Sequence, residues 1–166
     1  EGKFYCWAFD VVAIPIECKS DKFKDWEAAM RMVRAGSATS CGAGLHQLIN
    51  KDQFVEQIVM VTDQGENRGP YFIQEMDRFK EKFGMYPLVV FINCGRNQRH
   101  GLERQCDGRQ IEYESINIPR GSDYYSIPNL IPLLNQPGRL DLLENIMQTP
   151  LPTREQFDTK AARLMQ

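Results

Sequence analysis

The fold is decided by the stretch Gln-Ile-Val-Met-Val-Thr at residues 57–62, which is followed at once by Asp63. Its shortness and its β-branched residues are typical of a strand buried inside a sheet. A polar turn follows, and a proline then begins a predicted helix over residues 70–83. A second apolar run at residues 87–94 repeats the pattern. The centre of the chain is therefore predicted to be strand, helix, strand.

The flanking sequence extends this pattern in both directions. Residues 3–14 are apolar at nearly consecutive positions, which predicts a central strand buried on both faces. Helices are predicted over 22–34 and 42–50, and a fourth strand is predicted over 110–118 at the edge of the sheet. The polar stretch over 95–109 is predicted to be a loop.

The C-terminal part continues with helical patterns. Helices are predicted over 126–135 and 138–147, and residues 153–164, after two prolines, resemble a capped helix. Apolar strands that alternate with helices indicate an α/β fold, with a doubly wound, mainly parallel sheet that carries helices on both faces. We expect one domain over residues 1–149 and a helical tail over 150–166.

The composition excludes several classes of function. The 166 residues carry 20 Lys and Arg against 22 Asp and Glu, so the chain as a whole does not attract nucleic acid or anionic membranes. No apolar run approaches the roughly 18–20 residues that span a bilayer, and the first residues do not form a signal peptide. The five cysteines lack the paired spacing of zinc ligands. We therefore expect a cytoplasmic protein with free thiols and no membrane partner.

Oxygen donors lie where a ligand would bind an α/β sheet. Ligands of open parallel sheets bind beyond the carboxyl ends of the strands. Asp63 ends the strand at 57–62, and Thr39 lies in the loop before the preceding helix. A carboxylate and a hydroxyl suit Mg²⁺, Mn²⁺ or Ca²⁺ rather than zinc. The alternative is structural, because an Asp between a strand and a glycine-containing turn commonly forms an Asx turn or caps a helix.

Two stretches carry a resemblance to a known family. Residues 39–45, Thr-Ser-Cys-Gly-Ala-Gly-Leu, resemble the T-x-T-G-x-x-L loop of von Willebrand factor A domains. Residues 58–66, Ile-Val-Met-Val-Thr-Asp-Gln-Gly-Glu, resemble their apolar strand that ends in T-D-G/N-E. Residues 35–41, the Thr-Asp segment and the strand end at residues 8–10 are most similar to the A-domain of Ro (TROVE) RNA-binding proteins. The resemblance covers about residues 3–135.

The resemblance implies a doubly wound sheet with a metal-ion-dependent adhesion site. Such a site takes ligands from a D-x-S-x-S motif, a threonine and an aspartate, and Thr39 matches the second and Asp63 the third. The first motif has no match in this sequence. The chain therefore resembles an A-domain without its first strand and helix, which were either removed or are supplied by another polypeptide segment. We expect weak Mg²⁺ binding and unpaired sheet edges, and we expect residues 1–166 alone to be either poorly soluble or complemented by the missing part of the domain.

Four arginines lie close together in the polar stretch. They are Arg96, Arg99, Arg104 and Arg109, and they are interspersed with two acidic residues. Such a cluster fits contacts to RNA phosphates. The alternative is an ordinary solvent-exposed loop without a ligand.

The resemblance implies a metal-assisted binding module, not an enzyme, in a Ro-like ribonucleoprotein that binds RNA. The expected partners are a small structured RNA and a protein that offers a carboxylate to the metal. Two alternatives stay open. One is a general A-domain that binds proteins and has no role with RNA. The other is a Mg²⁺-dependent enzyme on a flavodoxin-like sheet, with Asp63 as a catalytic ligand.

Overall fold

A computed structural model describes residues 3–18, 20–34, 36, 38–94, 101–118, 131–134 and 139–150. The contacts between residues divide the chain into two units, Glu1–Leu134 and Asn135–Gln166. Each unit is described by itself.

The first unit contains five strands and five helices among its described residues. In chain order they are β1 (Trp7–Phe9), β2 (Ala13–Pro15), α1 (Phe23–Met30), α2 (Ala43–Asn50), β3 (Gln57–Thr62), α3 (Phe72–Phe83), β4 (Leu88–Cys94), α4 (Gly101–Arg109), β5 (Tyr113–Ile118) and α5 (Ile131–Leu134). In the second unit the described helix is α6 (Arg139–Gln148), which confirms the helix predicted over 138–147. Helix α5 falls within the prediction over 126–135, and the helix predicted over 153–164 lies outside the described residues.

The centre of the first unit is a three-stranded parallel sheet in the order β3-β4-β5, flanked by helices. Thr62 at the end of β3 pairs with Asn93 of β4, and Asn93 pairs with Asn117 of β5. The carboxyl ends of all three strands therefore lie at one edge of the sheet. Among the described strands β5 pairs only with β4, which confirms its predicted edge position. The architecture is α/β with a parallel sheet, as the alternation of strands and helices predicted.

One face of the sheet carries the core. Met60 of β3 and Phe91 of β4 are buried there against the apolar stripe of α3, which consists of Phe72, Met76 and Phe79. These three side chains recur at spacings of four and three residues, so they lie on one side of the helix. The helix predicted over 70–83 is observed over Phe72–Phe83, so Pro70 lies two residues before the helix and not at its first position, while Gly84 ends the helix as predicted, with a left-handed backbone (φ +84°).

The opposite face of β3 is open to solvent. Val59 and Val61 are 44% and 58% exposed, although their cross-strand neighbours Val90 and Ile92 on β4 are buried. The prediction that residues 57–62 form a buried strand is therefore correct for one face and wrong for the other. Apolar composition cannot distinguish the two cases, because burial of this face depends on what lies beside β3.

The N-terminal strand prediction is wrong. Residues 3–14 do not form one central strand: β1 and β2 form an antiparallel pair of three residues each, in a sheet separate from β3-β4-β5. Asp10 causes the reversal, because its carboxylate accepts a hydrogen bond from the Val12 N–H (3.0 Å) and its own N–H donates to the Val12 carbonyl (3.1 Å). Val12 and Ile14 are consequently exposed. Helix α1 forms inside the predicted range 22–34, but none of its residues is buried.

The loop predicted over 95–109 contains a helix instead. Residues 101–109 form α4, with Leu102 and Cys106 buried on its inner side. Two apolar residues four positions apart are a weak helical signal in a stretch rich in charge. They identify the buried side of the helix only when the rest of the fold is known.

Among the described residues, all five cysteines are free. Cys41 and Cys106 are buried, Cys6 and Cys18 are half-buried, and Cys94 is exposed. No described helix has the length and hydrophobicity needed to cross a membrane.

Candidate functional site

The loop before α2 and the loop after β3 are joined along their backbones. The Thr39 carbonyl accepts hydrogen bonds from the N–H groups of Asn67 and Arg68, both at 3.1 Å. In return the Thr39 N–H donates to the Asn67 side-chain oxygen at 2.8 Å. Thr39 is therefore fixed to the segment that follows Asp63, through three hydrogen bonds.

The same two loops meet again at Pro70. The Pro70 carbonyl accepts hydrogen bonds from the Ser40 hydroxyl (2.6 Å) and from the Gly42 N–H (3.2 Å). Gly42 is required by this close approach, because a Cβ at this position would lie 2.7 Å from the Pro70 carbonyl oxygen and 2.8 Å from the Tyr71 carbonyl carbon. Any larger residue would push the backbones of the two loops apart.

A third loop end also reaches this region. The Ser40 N–H donates to the backbone carbonyl of Asp10 at 2.6 Å, so the turn after β1 contacts the loop before α2. Trp7 of β1 packs against the same core as α2. The loop over 38–42 is therefore flanked by the end of β1 on one side and by the segment after β3 on the other.

Asp63 lies at the carboxyl end of β3 and is exposed. One of its carboxylate oxygens, Oδ1, accepts a hydrogen bond from the Gly65 N–H at 2.9 Å. This is the Asx turn that the sequence allowed as the structural alternative. Thr62 forms the matching turn one residue earlier, because its hydroxyl oxygen accepts from the Gln64 N–H at 2.9 Å.

Glu66 connects the starts of two helices. Its Oε1 accepts hydrogen bonds from the N–H groups of Cys41 (3.1 Å) and Phe72 (2.8 Å). Burial raises the pKa of the Glu66 carboxyl, and the backbone N–H groups around it act in the opposite direction. A sequence pattern offers no signal for this contact, since Cys41 and Phe72 meet only in the folded chain.

Cys41 belongs to the loop before α2, and its thiol is buried. Burial raises the pKa of its thiol to about 12, and the negative charges of Glu66 and Asp63 act in the same direction. The thiol is therefore protonated at neutral pH, which disfavours its reaction as a nucleophile. Its side chain is 3% exposed and belongs to the hydrophobic core.

The donor set at this edge of the sheet is small. Thr39 and Asp63 are the two predicted metal ligands, and both offer oxygen. Within the part of the chain that the structure describes, no group of three or more His, Cys, Asp or Glu side chains could hold a metal ion. The chemistry of the two residues fits a hard divalent cation that keeps most of its water, and it does not form a closed metal cage.

A buried polar network lies beside this site, and sequence analysis missed it. The Gln64 side-chain amide donates to Asn93 and to Glu103, both at 2.8 Å, and its oxygen accepts from the Leu102 N–H at the start of α4 (3.2 Å). The Ser115 hydroxyl donates to the same Glu103 oxygen at 2.6 Å. The network joins the ends of β3 and β4 to α4. The network forms only because the register of the strands brings these side chains together, and a local sequence pattern does not specify that register.

The four predicted RNA-contact arginines differ in their surroundings. Arg104 is exposed on α4. Arg109 forms an ion pair with Asp77 of α3, with 3.0 Å between Nε and Oδ2. Arg96 and Arg99 lie outside the described residues. The structure therefore describes two of the four arginines, and one of these two, Arg109, already has an acidic partner.

Comparison with protein-family models, with curated proteins and with solved structures gave no match for this chain.

Proposed function

We propose that the first unit is a von Willebrand factor A-like domain of the Ro type, a doubly wound α/β module that binds partners with the help of a metal ion and is not an enzyme. The observation that carries the proposal is the joining of the loop before α2 to the loop after β3 at the carboxyl edge of the sheet. Thr39 is hydrogen-bonded to the segment that follows Asp63. Ligands of open parallel sheets bind at this edge.

Thr39 and Asp63 are the residues that would hold the cation. Asp63 contributes the negative charge and Thr39 contributes a neutral oxygen. A bound Mg²⁺ would supply a positive charge to which a partner's carboxylate can bind. Because one carboxylate neutralises only part of a divalent charge, we expect weak binding, in the range of about 10⁻⁴–10⁻³ M.

Calorimetric titration with Mg²⁺ and with Mn²⁺ tests the cation site. We expect weak binding by the unmodified protein, loss of binding in Asp63→Asn, and unchanged binding in Asp21→Asn. Asp21 is the matched control because it is an exposed aspartate in the N-terminal segment. Equal binding by both variants would exclude Asp63 as a ligand, and submicromolar binding by the unmodified protein would contradict the two-ligand site.

The open side of β3 supports a second part of the proposal, a polypeptide segment that completes the sheet. Residues 57–62 contain no charged residue and no proline, whereas natural edge strands are usually protected by such residues. Val59 and Val61 present an apolar outer face. An extended apolar segment from another polypeptide would pair with the free edge of β3 and place its own side chains beside Val59 and Val61.

The resemblance to Ro proteins also supports RNA as a partner in a cytoplasmic ribonucleoprotein. Of the two predicted RNA-contact arginines that the structure describes, Arg104 is the one we expect to contact phosphate, because Arg109 already pairs with Asp77. Filter binding of a structured RNA at low and at physiological salt tests this. We expect binding that weakens with salt and that is reduced in Arg104→Ala but not in Arg31→Ala. Binding that is absent, or unaffected by salt, would leave a protein-binding A-domain as the alternative.

A further inference from the structure

Glu66 lies between the segment that leads into α2 and the start of α3. Cys41 lies two residues before α2 begins, and Phe72 is the first residue of α3. The Phe72 N–H has no acceptor within α3 and carries partial positive charge, whereas the Cys41 N–H belongs to the loop just before the N-cap residue of α2, Gly42. A single oxygen of Glu66, Oε1, accepts from both Cys41 and Phe72.

These contacts connect the two loops of the candidate site at a point away from its predicted ligands. Thr39 precedes Cys41 by two residues, and Asp63 precedes Glu66 by three. Asn67, the residue after Glu66, contacts Thr39 directly through its side chain and its backbone. The segment over 66–67 therefore binds the Thr39 loop twice, once at Thr39 and once at Cys41.

We propose that Glu66 is a positioning residue that holds the Thr39 loop against the start of α3 and thereby sets where Thr39 lies relative to Asp63. The evidence for this positioning is the pair of hydrogen bonds from Cys41 and Phe72 to Glu66. Its consequence for a cation rests on the proposed function. The role that we assign to Glu66 is to hold the loop, because its Oε1 accepts hydrogen bonds from both N–H groups.

Three variants separate positioning from general stability. Glu66→Ala removes the acceptor, and Glu66→Gln keeps an oxygen in the same position. The control variant, Glu81→Ala, removes an exposed glutamate of α3. Amide hydrogen exchange reports each N–H group individually. In Glu66→Ala we expect exchange at Cys41 and Phe72 to rise about tenfold or more relative to Phe91 in the core of β4. We expect Glu66→Gln to restore most of the protection and Glu81→Ala to leave it unchanged.

The outcomes distinguish the proposals. If Glu66→Ala raises exchange at Cys41, Phe72 and Phe91 by the same factor, the residue only stabilises the fold and positioning is wrong. If exchange at Cys41 and Phe72 does not change, the contact has no role. Mn²⁺ titration of the same variants gives the second readout, with weaker binding expected in Glu66→Ala than in Glu66→Gln. If the unmodified protein binds no Mn²⁺, the cation site fails, while the exchange result still decides whether Glu66 positions the loops.

Discussion

The segment from β1 to α1 and the segment from α2 to β5 use their apolar residues in opposite ways. In the first segment Phe23 is 79% exposed, and no residue of α1 is buried. In the second, Phe72, Met76 and Phe79 of α3 are completely buried against the sheet. Both segments contain aromatic residues at helical spacing. The difference teaches that an apolar stripe produces a core only where a sheet face lies opposite it.

Although β3 is part of the second segment, its outer face is exposed like the apolar residues of the first. Val59 and Val61 lie on a strand whose inner face is well packed, yet they are open to solvent. The N-terminal hairpin and β3 thus both present apolar surface, and the end of β1 contacts the loop before α2 through Ser40. We interpret the outer face of β3 as the place beside which the proposed completing segment binds.

Alkylation of native cysteines should give the largest contrast between the two segments. With a pKa of about 12, only about one Cys41 thiol in ten thousand is ionised at pH 8. Cys18 in the N-terminal segment is only half-buried. We expect iodoacetamide to label Cys18 about 10³-fold faster than Cys41, as measured by mass spectrometry. Equal rates in the native protein would mean that the second segment is no better packed than the first.

Truncation of two phenylalanines should give the next largest contrast. Phe79→Ala removes a completely buried ring from the core and should lower the free energy of unfolding by about 3–5 kcal/mol. Phe23→Ala is the matched control on α1, and its effect should stay within about 0.5 kcal/mol. Urea denaturation measures both. A large loss in Phe23→Ala would show that α1 is packed in solution.

Two glycines test how closely the loops of the second segment approach each other. Gly42→Ala places a Cβ 2.7 Å from the Pro70 carbonyl oxygen and should cost about 1–3 kcal/mol. Gly108 on α4 has open space around its Cα, so Gly108→Ala should leave stability unchanged or raise it by about 0.5–1 kcal/mol. Thermal denaturation compares the two variants. A neutral Gly42→Ala would refute the close contact between the loops.

A charge on the open face of β3 should have the smallest effect on stability. Val61→Lys replaces an exposed side chain and should change the free energy of unfolding by no more than about 0.5 kcal/mol. It should nevertheless reduce self-association, as measured by light scattering, because a lysine protects an edge strand from pairing. Val90→Lys on the neighbouring strand is buried and should unfold the protein. If Val61→Lys also unfolds it, β3 is covered on both faces.

The sequence predicted best where a pattern is local and strong. The helix over 72–83 follows from its apolar stripe and its terminal glycine, and the strand over 88–94 follows from its uninterrupted apolar run. The prediction failed at residues 3–14, because the reversal at Asp10 depends on one side-chain hydrogen bond and not on hydrophobicity. It failed at 101–109 because two buried residues are too few to reveal a helix.

The candidate site was predicted only in outline. The position of Asp63 after an apolar strand was enough to locate it at the carboxyl edge of the sheet, and Thr39 was selected from its place in the loop before the preceding helix and from the resemblance. Glu66 and Asn67 were not recognised as the residues that join the two loops, because their partners lie 25 and 28 residues away in the chain. Contacts over such distances exist only after the strands and helices have packed.

The sequence by itself determined the alternation of strands and helices, and with it the α/β class, since periodic hydrophobicity and terminal prolines and glycines act over a few residues. The tertiary structure alone decided which apolar faces are covered and which polar groups meet. Val59 and Val90 have the same side chain and pair across neighbouring strands, yet one is exposed and the other is buried. The physical reason is that burial depends on the neighbours of a residue in space, and local sequence does not specify those neighbours.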